Sequence, residues 1–217
     1  MSLTVKSAEK WFKNRPYLKE IAALPMAIEK VLSECAPVEN LPDNMESIEE
    51  SFKSGVPVLC SGLDFHIAAA AGNMLIALSA LEHEENLPEK IRNGAAKTAG
   101  FSEKEAESVI NSLINGDDEA ILKSAEKVNI DTDLLIYLAW HSVNAALRNI
   151  RGELEKWSEE HLWQHGSCPV CGNSASSALL KRTKRGRPRF LHCEHCGSEW
   201  SSVRIGCPYG GITDQKK

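Results

Sequence analysis

The feature that most constrains this chain is a pair of CxxC motifs toward its C-terminal end, Cys168-Pro169-Val170-Cys171-Gly172 and Cys193-Glu194-His195-Cys196-Gly197. Each motif presents two thiolates on one tight loop, and two such loops set face to face complete a tetrahedral four-sulfur site. Twenty-one residues separate Cys171 from Cys193, a span that suits a β-hairpin joining the loops. The spacing predicts a rubredoxin-like or zinc-ribbon β module over residues 164–211, with Cys168, Cys171, Cys193 and Cys196 holding one zinc or iron ion. Sulfur donors suit either metal. Four thiolates close a tetrahedral sphere and leave no position for a reacting water. The site therefore reads as a folding staple, and no catalytic residue is expected. His192 and His195 adjoin the second motif but are surplus to four ligands. A module of about 45 residues has little core of its own, so a bound ion would supply much of its folding energy.

Seven cysteines in a chain whose start lacks a basic-then-apolar secretory pattern point to metal ligation in a reducing compartment rather than to disulfides. The apolar stretch from Ile67 to Leu81 is shorter than the roughly 20 residues of a membrane helix and is interrupted by Asn73. It reads as a buried core helix, and no membrane insertion is expected. Charge is divided unevenly. Residues 1–160 hold 16 Lys+Arg against 27 Asp+Glu, a formal −11, while residues 161–217 hold 9 against 3, a formal +6. Such a split fits two modules with different surfaces.

Residues 1–163 read as an all-helical domain. Pro16 opens a helix that Pro25 kinks or splits. A short helix follows at about 45–52, and Ser54-Gly55-Val56-Pro57 ends it. The alanine-rich run from Leu63 to Glu82 is apolar on nearly every face, which suits a central helix. Ser102 and Glu105 form a capping box for the next long helix, and Asp117 caps another through Val128. The last long helix starts after Asp131, capped by Thr132 or Asp133. Leu147, Ile150, Leu154, Trp157 and His161 step by three and four, which extends it nearly to the first CxxC. The ribbon is accordingly expected to dock on the helices rather than hang from a linker. Residues 212–217 read as a tail.

The remaining chemistry-bearing residues give no active site. His66 and His141 lie in apolar helices, His83 sits among glutamates at a helix end, and His161 and His165 are four apart and could share a helix face, but Gly166 ends the helix there. Cys35 and Cys60 read as core thiols. Cys207-Pro208-Tyr209-Gly210 looks like a third loop without its second cysteine. The turn from Lys181 to Arg189 holds six cations in nine residues and contains Arg185-Gly186-Arg187-Pro188, the core of a minor-groove-binding hook. It reads first as a solvated hairpin tip, then as a site for an anionic protein surface, then for nucleic acid. The acidic helical part disfavours nucleic acid.

The series Trp163-(x)4-Cys168-Pro-Val-Cys-Gly, then Leu191-His192-Cys193-x-x-Cys196-x-x-Glu199-Trp200-x-x-Val203-Arg204-x-x-Cys207, resembles the formate dehydrogenase accessory protein FdhE family. The preceding helix, with Leu134, Leu138, Ala139, Trp140 and Ala145, is similar too. The specific resemblance covers residues 132–207. It implies a helical N-terminal domain followed by two rubredoxin-like modules, the first with its ligands on Cys168, Cys171, Cys193 and Cys196. It implies a cytoplasmic, non-enzymatic maturation factor that contacts the catalytic subunit of formate dehydrogenase before assembly or export. Those enzymes carry a molybdenum or tungsten pterin and iron–sulfur clusters. The family's third loop is CxxC where this chain has Gly210, and a fourth is absent, so a C-terminally shortened form lacking the second metal module is expected. The alternatives are a nucleic-acid-binding zinc ribbon and a rubredoxin-like electron carrier.

Overall fold

The computed structural model describes residues 12–35, 45–61, 67–153, 156, 163, 165–182 and 186–210. These residues build a mainly α protein with one small antiparallel sheet near the C-terminal end, the fold class the sequence predicts. The helices are α1 (Leu18–Glu34), α2 (Met45–Lys53), α3 (Ile67–Glu82), α4 (Glu89–Lys97), α5 (Glu103–Asn115), α6 (Asp118–Val128) and α7 (Thr132–Ala146). The strands are β1 (Ser177–Leu180), β2 (Arg189–His192) and β3 (Glu199–Ser202).

Helix α3 is the hub, packing against α1, α4, α5 and α7. Ala70, Ala71 and Ala77 are buried along it, and their small side chains let neighbouring helices approach closely. Asn73 is buried in its middle and donates from Nδ2 to the Ser142 carbonyl on α7 at 3.4 Å, so the polar group does not stay unpaired. Helix α5 starts with the expected capping box: Glu105 N–H donates to Ser102 Oγ, and Ser102 N–H donates to Glu105 Oε2. The Asp117 carboxylate caps α6.

Four expectations need correction. Pro25 lies inside α1 and does not split it, for the helix runs from Leu18 to Glu34. The α7 cap is Asp131, whose carboxylate accepts from the N–H groups of Asp133 and Leu134, rather than Thr132 or Asp133. The helix expected to run from Asp131 toward His161 is interrupted, and the chain is helical again at residues 151–153. Helix α7 ends at Ala146, and a turn occupies residues 147–150. At that end Arg148 N–H goes to the Ala145 carbonyl, and the Asn144 carbonyl accepts instead from the Arg151 guanidinium at 2.8 Å. A side chain thus takes over a carbonyl that a continuing helix would have used. Leu147 and Ile150 are still buried, which is why their spacing reads as helical. Leu154, Trp157 and His161, like His66, lie outside the described residues. Finally, Cys60 is exposed, not a core thiol. It closes a 3-10 turn (Val58–Cys60) whose first two residues are buried and leave the third facing out. Cys35 is buried as expected.

The sheet runs in the order β1-β2-β3, with Leu191 opposite both Ala178 and Trp200. Leu191 and Trp200 are buried on this face. One contiguous apolar core joins them, with Trp163 and Val170, to helical residues including Phe52 and Leu138. Val203, just past the end of β3, is exposed.

Candidate metal centre

Both CxxC loops fold the same way. In the first, Gly172 N–H donates to Cys168 O at 2.9 Å and Cys168 N–H donates to Asn173 O. In the second, Gly197 N–H donates to Cys193 O at 2.9 Å and Cys193 N–H donates to Ser198 O. The closing glycines have φ of 79° and 73°, a left-handed conformation that glycine adopts without steric cost. Val170 N–H points at Cys168 Sγ, 3.4 Å away. The Asn173 side-chain amide points at Cys171 Sγ, 3.5 Å away.

The hairpin brings the loops together. Cys168 Sγ lies 3.4 Å from Cys196 Sγ, and Cys171 Sγ lies 3.5 Å from Cys193 Sγ. All four sulfurs fall within 4.8 Å of one another. A tetrahedron of sulfurs at the usual zinc–sulfur length has edges of about 3.8 Å, so the donor set fits a single tetrahedral ion. Cys168, Cys193 and Cys196 are buried, and Cys171 is half-buried. Burial pushes the Cys168 thiol up, and hydrogen bonds from the neighbouring sulfurs hold Cys193 down. Four close sulfurs that share protons in this way are electrostatically costly as free thiolates. A divalent cation at their centre removes that cost and releases the protons.

The neighbouring groups tie the site to the helices. The tip of the first loop is hydrogen-bonded by the 3-10 turn, with Val58 N–H to Pro169 O at 2.9 Å and Leu59 N–H to Val170 O at 2.8 Å. Gly197 of the second loop sits on the Asn144 amide of α7. His195 packs edge-on against Trp140, ring centroids 5.0 Å apart. Trp163 anchors the approach to the first loop: its indole N–H donates to Ser167 O at 2.8 Å, and its ring meets Phe52 at 4.8 Å. Trp200 donates to the His165 carbonyl at 3.1 Å. These contacts were invisible in the cysteine spacing. Only the tryptophans hinted at them, as large side chains flanking loops that have little core.

The other candidate residues stand apart. His192 faces Glu199 across β2 and β3, with Nδ1 3.8 Å from Oε1. His141 lies edge-on to Tyr137, and His83 is exposed at the end of α3. Cys207 is exposed, and its thiol is pulled down by the backbone N–H groups of Gly210 and Tyr209. The Tyr209 hydroxyl accepts from Ala175 N–H at 3.0 Å, which pins this loop to the ribbon. Away from the cysteines, a groove of about 1030 Å³ between α1, α4 and the start of α7 is lined by Ile21, Leu24, Ile91, Leu134 and Tyr137, among others. None of its lining residues belongs to the ribbon. No helix among the described residues is long and apolar enough to cross a membrane.

The fold and the site together define a helical protein carrying a four-cysteine ribbon packed onto its core. Residues 167–204 match the family model described as FdhE, central domain. A stretch of 110 residues is 27% identical to the protein FdhE homolog of Haemophilus ducreyi, covering 51% of this chain and 34% of that protein. Another of 134 residues is 29% identical to the homolog from Proteus mirabilis, covering 61% of this chain and 40% of the relative. The chain thus matches well under half the length of these curated relatives. The crystal structure of the FdhE protein from Pseudomonas aeruginosa superposes with a TM-score of 0.56 at 20% identity, over 92% of this chain and 64% of that one. These matches support the FdhE family for this chain.

Proposed function

We propose that the protein is a non-enzymatic, cytoplasmic maturation factor for formate dehydrogenase that binds the catalytic subunit before assembly or export. In this reading residues 1–163 form the helical part, and residues 164–211 form the ribbon. Cys168, Cys171, Cys193 and Cys196 hold one zinc or iron ion that keeps the ribbon folded against the helices. The observation that carries the reading is the FdhE central-domain match over residues 167–204, which contains all four clustered cysteines. The closed four-sulfur donor set supports a structural rather than a hydrolytic role, because it leaves no coordination position for substrate or water.

Co-purification of the tagged chain with the formate dehydrogenase catalytic subunit from the native host tests the role. Retention of the subunit, together with reduced formate oxidation in a deletion strain, is expected. Failure on both counts overturns the reading. Metal analysis of protein from that host distinguishes zinc from iron, and a colourless zinc protein removes the electron-carrier alternative.

A further inference from the structure

The outer edge of β1, with Arg182 and Arg187 beyond it, takes no part in the metal centre. All four residues of β1 are exposed, and β1 is one border of the sheet. Its pairing fixes the direction of its backbone groups. Lys181 N–H donates to Pro188 O at 3.2 Å, and Leu180 stands opposite Arg189. Bonding alternates along an antiparallel ladder, so Leu179 and Lys181 turn their amides toward β2 while Ala178 and Leu180 turn theirs outward. Among the described residues no other element bonds to those outward groups.

The side chains at this edge have a definite chemistry. Leu180 is 58% exposed and Leu179 is 36% exposed. Just beyond them Arg182 and Arg187 are exposed and have no carboxylate partner among the described residues. Lys181, by contrast, is already paired with Glu199 and lies over the Phe190 ring. A cation at a sheet edge ordinarily guards against self-pairing. Here the free cations stand at one end, and the apolar pair beside them stays uncovered.

We propose that this edge is a docking site for an extended acidic segment of a partner protein, which adds as a fourth strand alongside β1. The segment's backbone pairs with the outward amide groups of Ala178 and Leu180. Leu179 and Leu180 point to opposite faces of the strand, so apolar side chains on both faces of the segment meet them, and carboxylates further along it meet Arg182 and Arg187. This is strand addition, in which backbone bonds give affinity and side chains give choice. The charge balance favours an acidic polypeptide, since residues 161–217 carry +6. A nucleic-acid duplex has no use for exposed leucines, and the −11 of residues 1–160 opposes it. The site stands independently of the maturation role.

The test is fluorescence anisotropy of the full chain with a labelled peptide of about eight residues, a common strand length, with valines grouped at one end and glutamates at the other. Saturable binding is expected. Ala178→Pro removes an outward donor that the ladder does not use, at an edge where proline is tolerated. It is expected to weaken binding about fivefold, equivalent to the about 1 kcal/mol of one hydrogen bond. The pair Arg182→Glu and Arg187→Glu is expected to abolish binding while leaving the circular dichroism and metal content of the parent. On the unaltered protein, a peptide with proline at alternate positions is expected to fail. Equal binding by the proline peptide, no binding of the valine–glutamate peptide, or tighter binding of a DNA duplex overturns the proposal.

Discussion

The backbone N–H of Leu59 donates to the carbonyl of Val170 at 2.8 Å, so the tip of the first cysteine loop is held by a turn of the helical part more than 100 residues earlier. Val58 does the same to Pro169. Both residues are buried, so solvent does not readily replace these bonds. The cysteine loop and the 3-10 turn therefore stabilise each other.

One consequence concerns metal removal. Stripping the ion with a chelator is expected to raise amide exchange not only in β1–β3 but also at Val58 and Leu59, by about tenfold, the equivalent of about 1.4 kcal/mol of local protection. Hydrogen exchange with mass spectrometry reads this directly. Faster exchange confined to the ribbon would show that the two parts are not coupled.

A second prediction rests on Gly197. A Cβ built there would lie 2.7 Å from Asn144 Nδ2 and 2.9 Å from Oδ1. The Asn144 side chain cannot easily retreat, because it also accepts from the Arg151 guanidinium. Gly197→Ala therefore combines a clash with left-handed backbone strain. Gly116 supplies the control: its φ is 70°, and nothing lies within 4 Å of its Cβ position. Gly116→Ala is expected to cost about 1–2 kcal/mol from backbone strain alone. Gly197→Ala is expected to cost more, and Asn144→Ala in the same chain is expected to recover the excess. Urea unfolding of the four proteins measures it, and equal losses at the two glycines would refute the packing argument.

How far the sequence reveals this molecule differs from part to part. The cysteine loops were legible because ligand spacing is local: Cys-x-x-Cys-Gly dictates both the sulfur geometry and the left-handed glycine. The capping box at Ser102 and Glu105 was legible for the same reason. The end of α7 was not. Leu147 and Ile150 keep the helical step because both are buried, yet the backbone between them is a turn, stabilised by Arg151 reaching back to Asn144. That bond depends on a side-chain conformation that no periodicity encodes. The partners of the cysteine loops were hidden too, since Val58 and Leu59 contribute backbone groups and any residue has those. Cys60 was misread because a cysteine among apolar neighbours gives no sign of which way a short 3-10 turn faces.

A third prediction concerns the aromatic joint between α2 and the first loop. Phe52 is 2% exposed and meets Trp163 at 4.8 Å. Phe52→Ala removes a large buried ring and is expected to cost about 3–5 kcal/mol. Trp163 fluorescence should shift to the red as its environment opens. A loss well under the lower figure, with unchanged emission, would mean that the joint collapses around the smaller residue.

The last prediction concerns pH and His141. Burial pushes this imidazole below its ordinary value, and His195 pushes it the same way, while Glu29 and Glu194 oppose. A depressed value means that the folded protein resists a proton the unfolded chain accepts. The contribution to stability is therefore fully present above the ordinary histidine value and is lost as pH falls from there toward the lower folded value. His141→Phe keeps an aromatic ring against Tyr137, whose contact with His141 is edge-on at 4.3 Å, and removes the titration. Thermal midpoints measured from about pH 7.5 down to about 5.5 are expected to fall more steeply for the parent than for His141→Phe. Acid loss of the metal affects both proteins alike, so the difference between the two curves isolates His141. Parallel curves would show that its protonation is not linked to folding.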